Sequence, residues 1–364
     1  MENTVDRIKR ILNKVYGEFS PVAWKPKSFK DNKSRYLWTD AYGVVSFLNL
    51  FCITKDEAFL NQAKILIKSV HDVLGKTRDG RERLGNATED HPTLGGLRLC
   101  KFSCYKSLSQ SSHVQRMKRK IGKPNDEGSS MDGDGQYYHY LTKWMFALNR
   151  MTFVTTDSTY NKWAIELAQS IHPHFVEKSE SGMAKRMCWK VSINLSKPLV
   201  NSEGGLDPYD GYVTYCILRD TSNDSDTLSS EINDLKNLID RRYESYSTHD
   251  TLDAGEALWL TSWCSGEPWA QRVYRVARSA VNILRERGEF DETHRHRLAF
   301  REFGTTIGVQ MHEEMMSVDH WRNTNEKVHE FWYHYLYERD IDITPVMYCC
   351  SLFPGVLNPN FAMS

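Results

Sequence analysis

The sequence predicts an all-α protein whose helices pair to form a double ring. Three observations lead to this prediction: apolar residues recur at helical spacing along most of the 364 residues, the helices alternate between two types, and the alternation repeats five or six times. In each pair the first helix is apolar nearly all round, and the second has a single apolar stripe. This pattern indicates an inner helix buried on most sides and an outer helix with one wet face. Five or six such pairs close most naturally into two concentric rings.

The helix pairs follow one another along the chain. The inner helix predicted at 38–52 is followed by an outer helix at 57–74. After an insertion, an inner helix at 136–153 leads through Thr155-Thr-Asp-Ser, an N-cap signal, to an outer helix at 159–172. The other predicted pairs are 210–218 with 228–243, 251–263 with 269–287, and 296–310 with 318–337. The N-terminal helix and the C-terminal apolar tail could complete a sixth pair.

One long insertion, 78–134, interrupts this pattern, and the chain is otherwise predicted to be a single domain, 1–364. Loops of this length in compact domains are usually functional or disordered. The first half contains Gly95, Gly96 and His91 and is expected to be ordered and to line the site. The second half is expected to be mobile and to act as a lid.

Composition restricts the classes of function. Hydrophobic residues at 40% and charged residues at 26% are typical of a soluble globular protein. The formal net charge of zero gives no electrostatic reason to expect nucleic acid or an anionic membrane as a partner. Neither a run of about eighteen apolar residues nor a signal peptide is evident. Eight scattered cysteines read as reduced thiols, so the expected location is the cytoplasm.

The succession of inner and outer helices resembles the (α/α)6 toroid, or six-hairpin, superfamily of glycosidases, sugar epimerases and lyases. The resemblance covers nearly the whole chain, but it is architectural and identifies no close family. It implies that the loops leading into the inner helices gather at one mouth of the ring, and that a small-molecule substrate binds there. A less regular all-α array is the alternative.

Acidic residues recur where the predicted inner helices begin, above all in Asp132-Gly-Asp-Gly-Gln-Tyr-Tyr-His139. Two carboxylates that face each other across a cavity supply the acid and the base of glycoside hydrolysis, and Asp134 and Asp40 are the preferred pair. Asp210 is the substitute. The alternative interpretation is that such residues cap helices, which is favoured for Asp207 and Asp253. Residues expected to bind or orient the substrate are Trp38, Tyr42, His91, Arg98, Asp132, Gln136, Tyr137, Lys143, Tyr209, Glu256 and Arg301.

Two other functions stay open. Sugar epimerases that resemble this fold move a proton beside a carbonyl with histidines, and His139 is the candidate for that role, with His91, His294 or His296 as its partner. A noncatalytic array presenting a groove to another protein is the third possibility. Arginines such as Arg35, Arg98 and Arg301 could clamp a carboxylate or phosphate.

No cofactor and no metal is predicted. His312-Glu-Glu lacks the second histidine of a zinc protease. Trp263-Cys-Ser-Gly-Glu-Pro resembles the zinc-binding segment of lanthipeptide cyclases, but the Cys-His-Gly that completes their site does not follow. Asp132-x-Asp134 resembles the acid motif of class II terpene cyclases and could chelate Ca²⁺ or Mg²⁺, so a cyclase is a further alternative. Nucleotide loops and a serine nucleophile elbow are not found.

Overall fold

The computed structural model describes residues 3–21, 23–27, 35–99 and 134–362. These residues form thirteen α-helices, most of them in pairs, with four short strands. In chain order the helices are α1 (Thr4–Tyr16), α2 (Leu37–Thr54), α3 (Glu57–Leu74), α4 (Tyr138–Thr155), α5 (Ser158–Phe175), α6 (Asp207–Ser222), α7 (Ser229–Asp240), α8 (Thr251–Trp263), α9 (Pro268–Glu286), α10 (Ala299–Gln310), α11 (Glu313–Met316), α12 (Asp319–Tyr333) and α13 (Ile343–Leu352).

Six of these helices form a closed inner ring. Going round it, α2 packs against α4, α4 against α6, α6 against α8, α8 against α10, α10 against α13, and α13 against α2. The outer helices α3, α5, α7, α9 and α12 each pack on the inner helix that precedes them, and α1 packs on α13. The architecture is an (α/α)6 toroid, which confirms the predicted fold class. The two ends of the chain make the sixth hairpin.

Burial explains why the two types of helix differ in sequence. Fourteen of the eighteen residues of α2 are buried, whereas only eight of the eighteen residues of α3 are, and those lie along one stripe. By length and composition α2 could cross a membrane, but 78% of its apolar window is buried inside the ring. Its apolar character is therefore that of a core helix.

Glycine lets two inner helices approach backbone to backbone. A Cβ on Gly255 of α8 would lie 2.4 Å from the carbonyl oxygen of Gly304 in α10, and a Cβ on Gly308 would lie 2.1 Å from the carbonyl oxygen of Gly255. Any larger residue at these positions would push α8 and α10 apart.

The structure departs from the predicted elements in the connections. The helix predicted to start at residue 136 starts at Tyr138, because Gln136 and Tyr137 form a short strand. The strands are β1 (Gln136–Tyr137), β2 (Val176–Lys178), β3 (Ala184–Met187) and β4 (Lys190–Val191), with β1 antiparallel to β4 and β2 antiparallel to β3. Within the insertion, 78–99 consists of turns and bends, and residues 100–133, which include the predicted lid, lie outside the described residues.

Candidate functional site

Aromatic side chains from α2 and α4 line the end of the ring where the inner helices begin. The Trp38 ring centroid lies 5.4 Å from that of Tyr42, 6.0 Å from that of His139 and 5.2 Å from that of Tyr140. Trp38 and His139 are each the second residue of their helix. The N-terminal ends of α2 and α4 therefore place the aromatic rings of Trp38, Tyr42 and Tyr140 beside the titratable imidazole of His139.

A single lysine connects three of the inner helices. Lys143 Nζ of α4 donates hydrogen bonds to Asp210 Oδ1 of α6 and to Glu256 Oε1 of α8, both at 2.7 Å. Its side chain is only 6% exposed, and Nζ lies 4.7 Å from the ring centroid of Trp259. Because α6 lies between α4 and α8, Lys143 reaches across the ring to contact Glu256.

The environment of Asp210 displaces its pKa. The side chain is almost fully buried, and Oδ2 accepts a hydrogen bond from the Thr142 hydroxyl at 2.5 Å. Burial raises the pKa of Asp210 to about 6, although Lys143 opposes the shift. Asp210 therefore ionises within reach of neutral pH.

Asp207, one helical turn earlier, is more strongly affected. Burial, followed by the charges of Asp210 and Glu256, raises the pKa of Asp207 well above its ordinary value. Its Oδ2 is buried and has no hydrogen-bond partner among the described residues. Burial of this kind favours the protonated form of a carboxyl group, which is the form that a general acid requires.

His139 lies beside this carboxyl group. Its Nδ1 is 3.7 Å from Asp207 Oδ1, its side chain is 25% exposed, and its ring meets that of Tyr140 edge-on at 4.5 Å. Asp207, Asp210, Glu256, His139 and Lys143 together are called the Lys143 cluster below. The cluster combines a buried carboxyl group whose pKa is raised, two carboxylates that contact a lysine, and a partly exposed imidazole.

The structure places Asp40 in a different group of residues. Its two oxygens each lie 2.6 Å from Arg35, one from Nε and one from Nη2, and both side chains are buried. The same arrangement recurs in α10, where Arg297 donates from Nε and Nη2 to Glu302 at 2.8 and 2.6 Å. In both cases the arginine stands five residues before the carboxylate.

Asp134 also accepts hydrogen bonds from arginines. Its Oδ2 lies 2.7 Å from Arg98 Nη1 and 3.2 Å from Arg78 Nε. Arg98 is fully buried and also donates to the carbonyl oxygens of Lys76 and Val73. The contacts of the described residues thus put Asp40 and Asp134 in separate ion pairs and do not bring them together as one acid–base pair.

Gln136 connects loops to each other. Its Oε1 accepts from the Leu97 amide at 3.0 Å, and its Nε2 donates to the carbonyl oxygens of Gly95 and Ile193. Gly96 packs against this amide with a positive φ of 75°, and a Cβ there would overlap Gln136 Oε1. Gly95 and Gly96, which were expected to line the site, therefore contact Gln136 and help to fix the loops at the rim of the ring.

The remaining candidates are divided between the rim and the outside of the ring. Arg301 pairs with Asp250, the N-cap of α8. Tyr209 packs on Trp269 with ring centroids 5.3 Å apart. His91 is 53% exposed and bonds Glu166 of the outer helix α5.

Tyr137 and Asp132 are the remaining candidates from the sequence. Tyr137 contacts Trp189 edge-on, and Lys190 lies 5.0 Å from its ring centroid. Asp132 lies outside the described residues, so the Asp132-x-Asp134 motif is described only at Asp134.

Sequence reasoning favoured helix capping for Asp207, as it did for Asp253, and did not include Asp207 in the candidate site. A signal was present, because Asp207 and Asp210 stand three apart at the start of one helix and so share a face. Spacing could not show that Glu256 and Lys143 would meet them. No group of three or more His, Cys, Asp and Glu side chains arranged to hold a metal occurs in the described part of the chain.

Comparisons with known proteins agree with the toroid. No protein-family model matches the chain, and no curated protein matches it in sequence. Cellobiose 2-epimerase from Spirochaeta thermophila is similar over 95% of this chain and 93% of its own, with 12% identity and a TM-score of 0.59. D-mannose isomerase is similar over 97% and 96%, with 10% identity and a TM-score of 0.58.

A glycosidase has a similar fold as well. The α-1,6-mannanase from Salegentibacter sp. is similar over 96% of this chain and 98% of its own, with 12% identity and a TM-score of 0.54. Likeness at this level of identity shows the fold alone. The chain shares the (α/α)6 toroid with these proteins over nearly its whole length.

Proposed function

We propose that this protein is an enzyme that acts on a sugar or a similar polyhydroxylated small molecule by acid/base catalysis at the Lys143 cluster. One observation carries the proposal: a buried lysine at the mouth of the ring contacts carboxylates of α6 and α8, and the pKa of two carboxyl groups in the first turn of α6, Asp207 and Asp210, is raised. Displaced pKa values of this kind concentrate at functional sites. Toroid neighbours named as a sugar epimerase, a sugar isomerase and a mannanase support the substrate class.

In this proposal Asp207 is the general acid, because burial raises the pKa of its carboxyl group and so favours the protonated form. Glu256 or Asp210 is the base, since the ammonium group of Lys143 lies 2.7 Å from a carboxylate oxygen of each. Tyr42, which is partly exposed, orients the sugar by stacking on its apolar face, and the buried ring of Trp38 supports Tyr42 from below. We move the acid–base role away from Asp134 and Asp40 because buried arginines already occupy their oxygens.

The second candidate function is isomerisation or epimerisation through His139. The observation in its favour is the 3.7 Å approach of His139 Nδ1 to Asp207, which would orient an imidazole that remains partly open to a substrate. A variant of the Salegentibacter mannanase with two adjacent aspartates replaced is described as inactive. The present sequence contains no two adjacent aspartates, so it offers no equivalent of that pair.

A noncatalytic array is less well supported. Burying the carboxyl groups of the Lys143 cluster costs desolvation free energy, which an apolar ring centre would avoid. The described cysteines are all free, which fits our proposal of a reducing, cytoplasmic location.

One experiment separates the two enzymatic candidates. The protein is incubated in D₂O with a panel of aldoses, ketoses and oligosaccharides, and the products are followed by proton NMR. Proton abstraction beside a carbonyl replaces a C–H hydrogen with deuterium, whereas hydrolysis produces new reducing ends without that exchange. The variant Glu256→Gln is compared with Glu166→Gln, the same change on the outer helix α5.

The expected result is conversion of at least one sugar by the native protein. We expect a loss of roughly 100-fold or more in Glu256→Gln and an unchanged rate in Glu166→Gln. Full turnover by Glu256→Gln would refute the assigned site. No conversion across the panel by the native protein would refute the substrate class.

A further inference from the structure

A second charged group lies in the interior of the ring, beyond the Lys143 cluster. Arg150 follows Lys143 by seven residues on the same face of α4, roughly 10 Å further along the helix. It is 7% exposed. The ring centroids of Phe146, Phe153 and Trp263 lie 5.2, 4.9 and 5.1 Å from its Cζ. The guanidinium is thus held in an aromatic cage near the end of the ring where α4 and α8 finish.

Only one edge of this guanidinium has a protein partner. Arg150 Nε and Nη2 both donate to Asn149 Oδ1. Asn149 is itself fixed, because its Nδ2 donates to Asn161 and Thr221 at 2.8 Å. A guanidinium has five N–H donors. In the described part of the chain the Nη1–Nη2 edge of Arg150 therefore has no acceptor.

Arg150 differs in this respect from the other buried arginines. Of the four arginines buried in the described residues, three pair with a carboxylate: Arg35 with Asp40, Arg98 with Asp134 and Arg297 with Glu302. Arg150 has no carboxylate within ion-pair distance among those residues, and burial lowers its pKa to about 10. The aromatic rings and the ends of the helix dipoles offset part of its charge. A buried charge is otherwise retained only with a counter-charge.

A second donor nearby also has no acceptor. The indole Nε1–H of Trp263, on the ring that contacts Arg150, is buried and has no hydrogen-bond partner among the described residues. Trp263 and Phe153 themselves are only half-buried, so this end of the ring reaches solvent. An exogenous acceptor could enter there without crossing the Lys143 cluster.

We propose that Arg150 and Trp263 form a binding site for a small oxyanion, a carboxylate or a phosphate. Its oxygens accept from the Nη1–Nη2 edge of Arg150 in the bidentate manner that suits such groups, and from Trp263 Nε1. The site lies at the opposite end of the ring axis from the Lys143 cluster. It is therefore an accessory site, distinct from the proposed catalytic one.

The test measures anion binding to the full-length protein at neutral pH. Tm and tryptophan fluorescence are recorded during titration with sodium phosphate and, separately, sodium succinate, each against sodium chloride at matched ionic strength. We expect one of these salts to raise Tm in a saturable way beyond the chloride control. The salt that acts identifies the anion as phosphate or carboxylate.

Amino-acid substitutions show where the anion binds. In Arg150→Gln the dissociation constant should rise about tenfold or more, since a bidentate charge-assisted pair is lost. Trp263→Phe should weaken binding by a smaller factor, and the matched control Arg275→Gln, an exposed arginine of α9, should bind as the native protein does. If Arg150→Gln does not fold, Arg150→Lys keeps the charge without the planar fork and should still weaken binding. Two results would overturn the proposal: saturable binding of equal strength in Arg150→Gln, or no saturable rise in Tm with either salt.

Discussion

Lys143 sets the electrostatics of the candidate site at the scale of single residues. Its ammonium group contacts two carboxylates at 2.7 Å in a setting from which water is largely excluded. Asp207 lacks such a direct cation contact, so burial dominates and its pKa rises furthest. The pKa values of two carboxyl groups one turn apart on α6 are therefore raised to different extents. An acid and a base with separated pKa values are what acid/base chemistry at neutral pH requires.

Removal of the lysine charge should destabilise the fold. We expect Lys143→Met to lower the free energy of unfolding by about 3–5 kcal/mol, because Asp210 and Glu256 lose the cation that offsets their burial. Urea denaturation measures the effect. Lys68→Met is the control, because that lysine is 72% exposed in its pair with Asp72 and its loss should cost about 0.5 kcal/mol or less. Similar effects of the two substitutions would contradict the account.

Asp210 should also make stability depend on pH. Its folded-state pKa of about 6 lies above the ordinary 3.8, so the folded protein holds this proton more tightly than the unfolded chain does. The contribution of Asp210 to stability is therefore greatest at low pH and falls as the pH rises through the window from 3.8 to about 6. As the pH rises through that window, the unfolding free energy of the native protein should fall relative to that of Asp210→Asn. A difference that is constant with pH would disprove this linkage.

At the scale of the helix, alternate inner helices start in the same way. The fourth residue is a carboxylate in α2, α6 and α10: Asp40, Asp210 and Glu302. A carboxylate in the first turn is favoured by the helix dipole. In α2 and α10 an arginine five residues earlier neutralises it, and in α6 a lysine from the neighbouring helix does so. The third arrangement places the carboxylate near two other carboxyl groups, Asp207 and Glu256.

The arginine pairs should therefore contribute mainly to stability. Glu302→Gln leaves the Arg297 charge buried without its partner and should cost about 3–5 kcal/mol in the free energy of unfolding. Glu177→Gln, which breaks the exposed pair with Arg186, should cost about 1 kcal/mol or less. Chemical denaturation of both variants checks the difference. Equal costs would mean that the buried pair is no more important than the surface one.

The helices and their first-turn acids could be predicted from the sequence, but the long-range partners of those acids could not. Helical periodicity located the inner and outer helices, including Glu57–Leu74 and Thr251–Trp263 with their observed limits. The first-turn acids could also be recognised. Their partners were harder to predict, since Arg35 stands in a connecting segment without periodicity, and the contact of Lys143 with Glu256 joins residues 113 apart in the chain. Long-range pairs depend on how the ring closes and not on local pattern.

At the scale of the whole molecule, the ring closes by joining the two ends of the chain. α1 packs on α13, and α13 packs on both α2 and α10. The alternation of helix types predicted the ring and even its sixth pair. It could not predict which rim loops meet, because segments such as 176–206 contain short strands and turns with no helical period.

Weakening this closure should therefore affect the entire fold. Leu12 of α1 is 1% exposed, and Leu12→Ala should lower the free energy of unfolding by about 2–5 kcal/mol. Asn13→Ala, on the wet face of the same helix, should have little effect. Tryptophan fluorescence and far-UV circular dichroism should follow one common transition in urea. Separate transitions by the two probes would show that the sixth hairpin unfolds independently of the ring.

The assignment of the catalytic acid to the Lys143 cluster is tested most directly by two isosteric substitutions, compared on a sugar that the native protein converts. Asp207→Asn removes the carboxyl group proposed as the general acid, and Asp40→Asn changes a carboxylate held by Arg35. Turnover is measured for both at a temperature where each remains folded. We expect Asp207→Asn to lose at least about 100-fold in kcat and Asp40→Asn to keep a kcat close to that of the native protein. Loss of turnover in Asp40→Asn with full activity in Asp207→Asn would contradict the account and place the catalytic carboxylate at the start of α2.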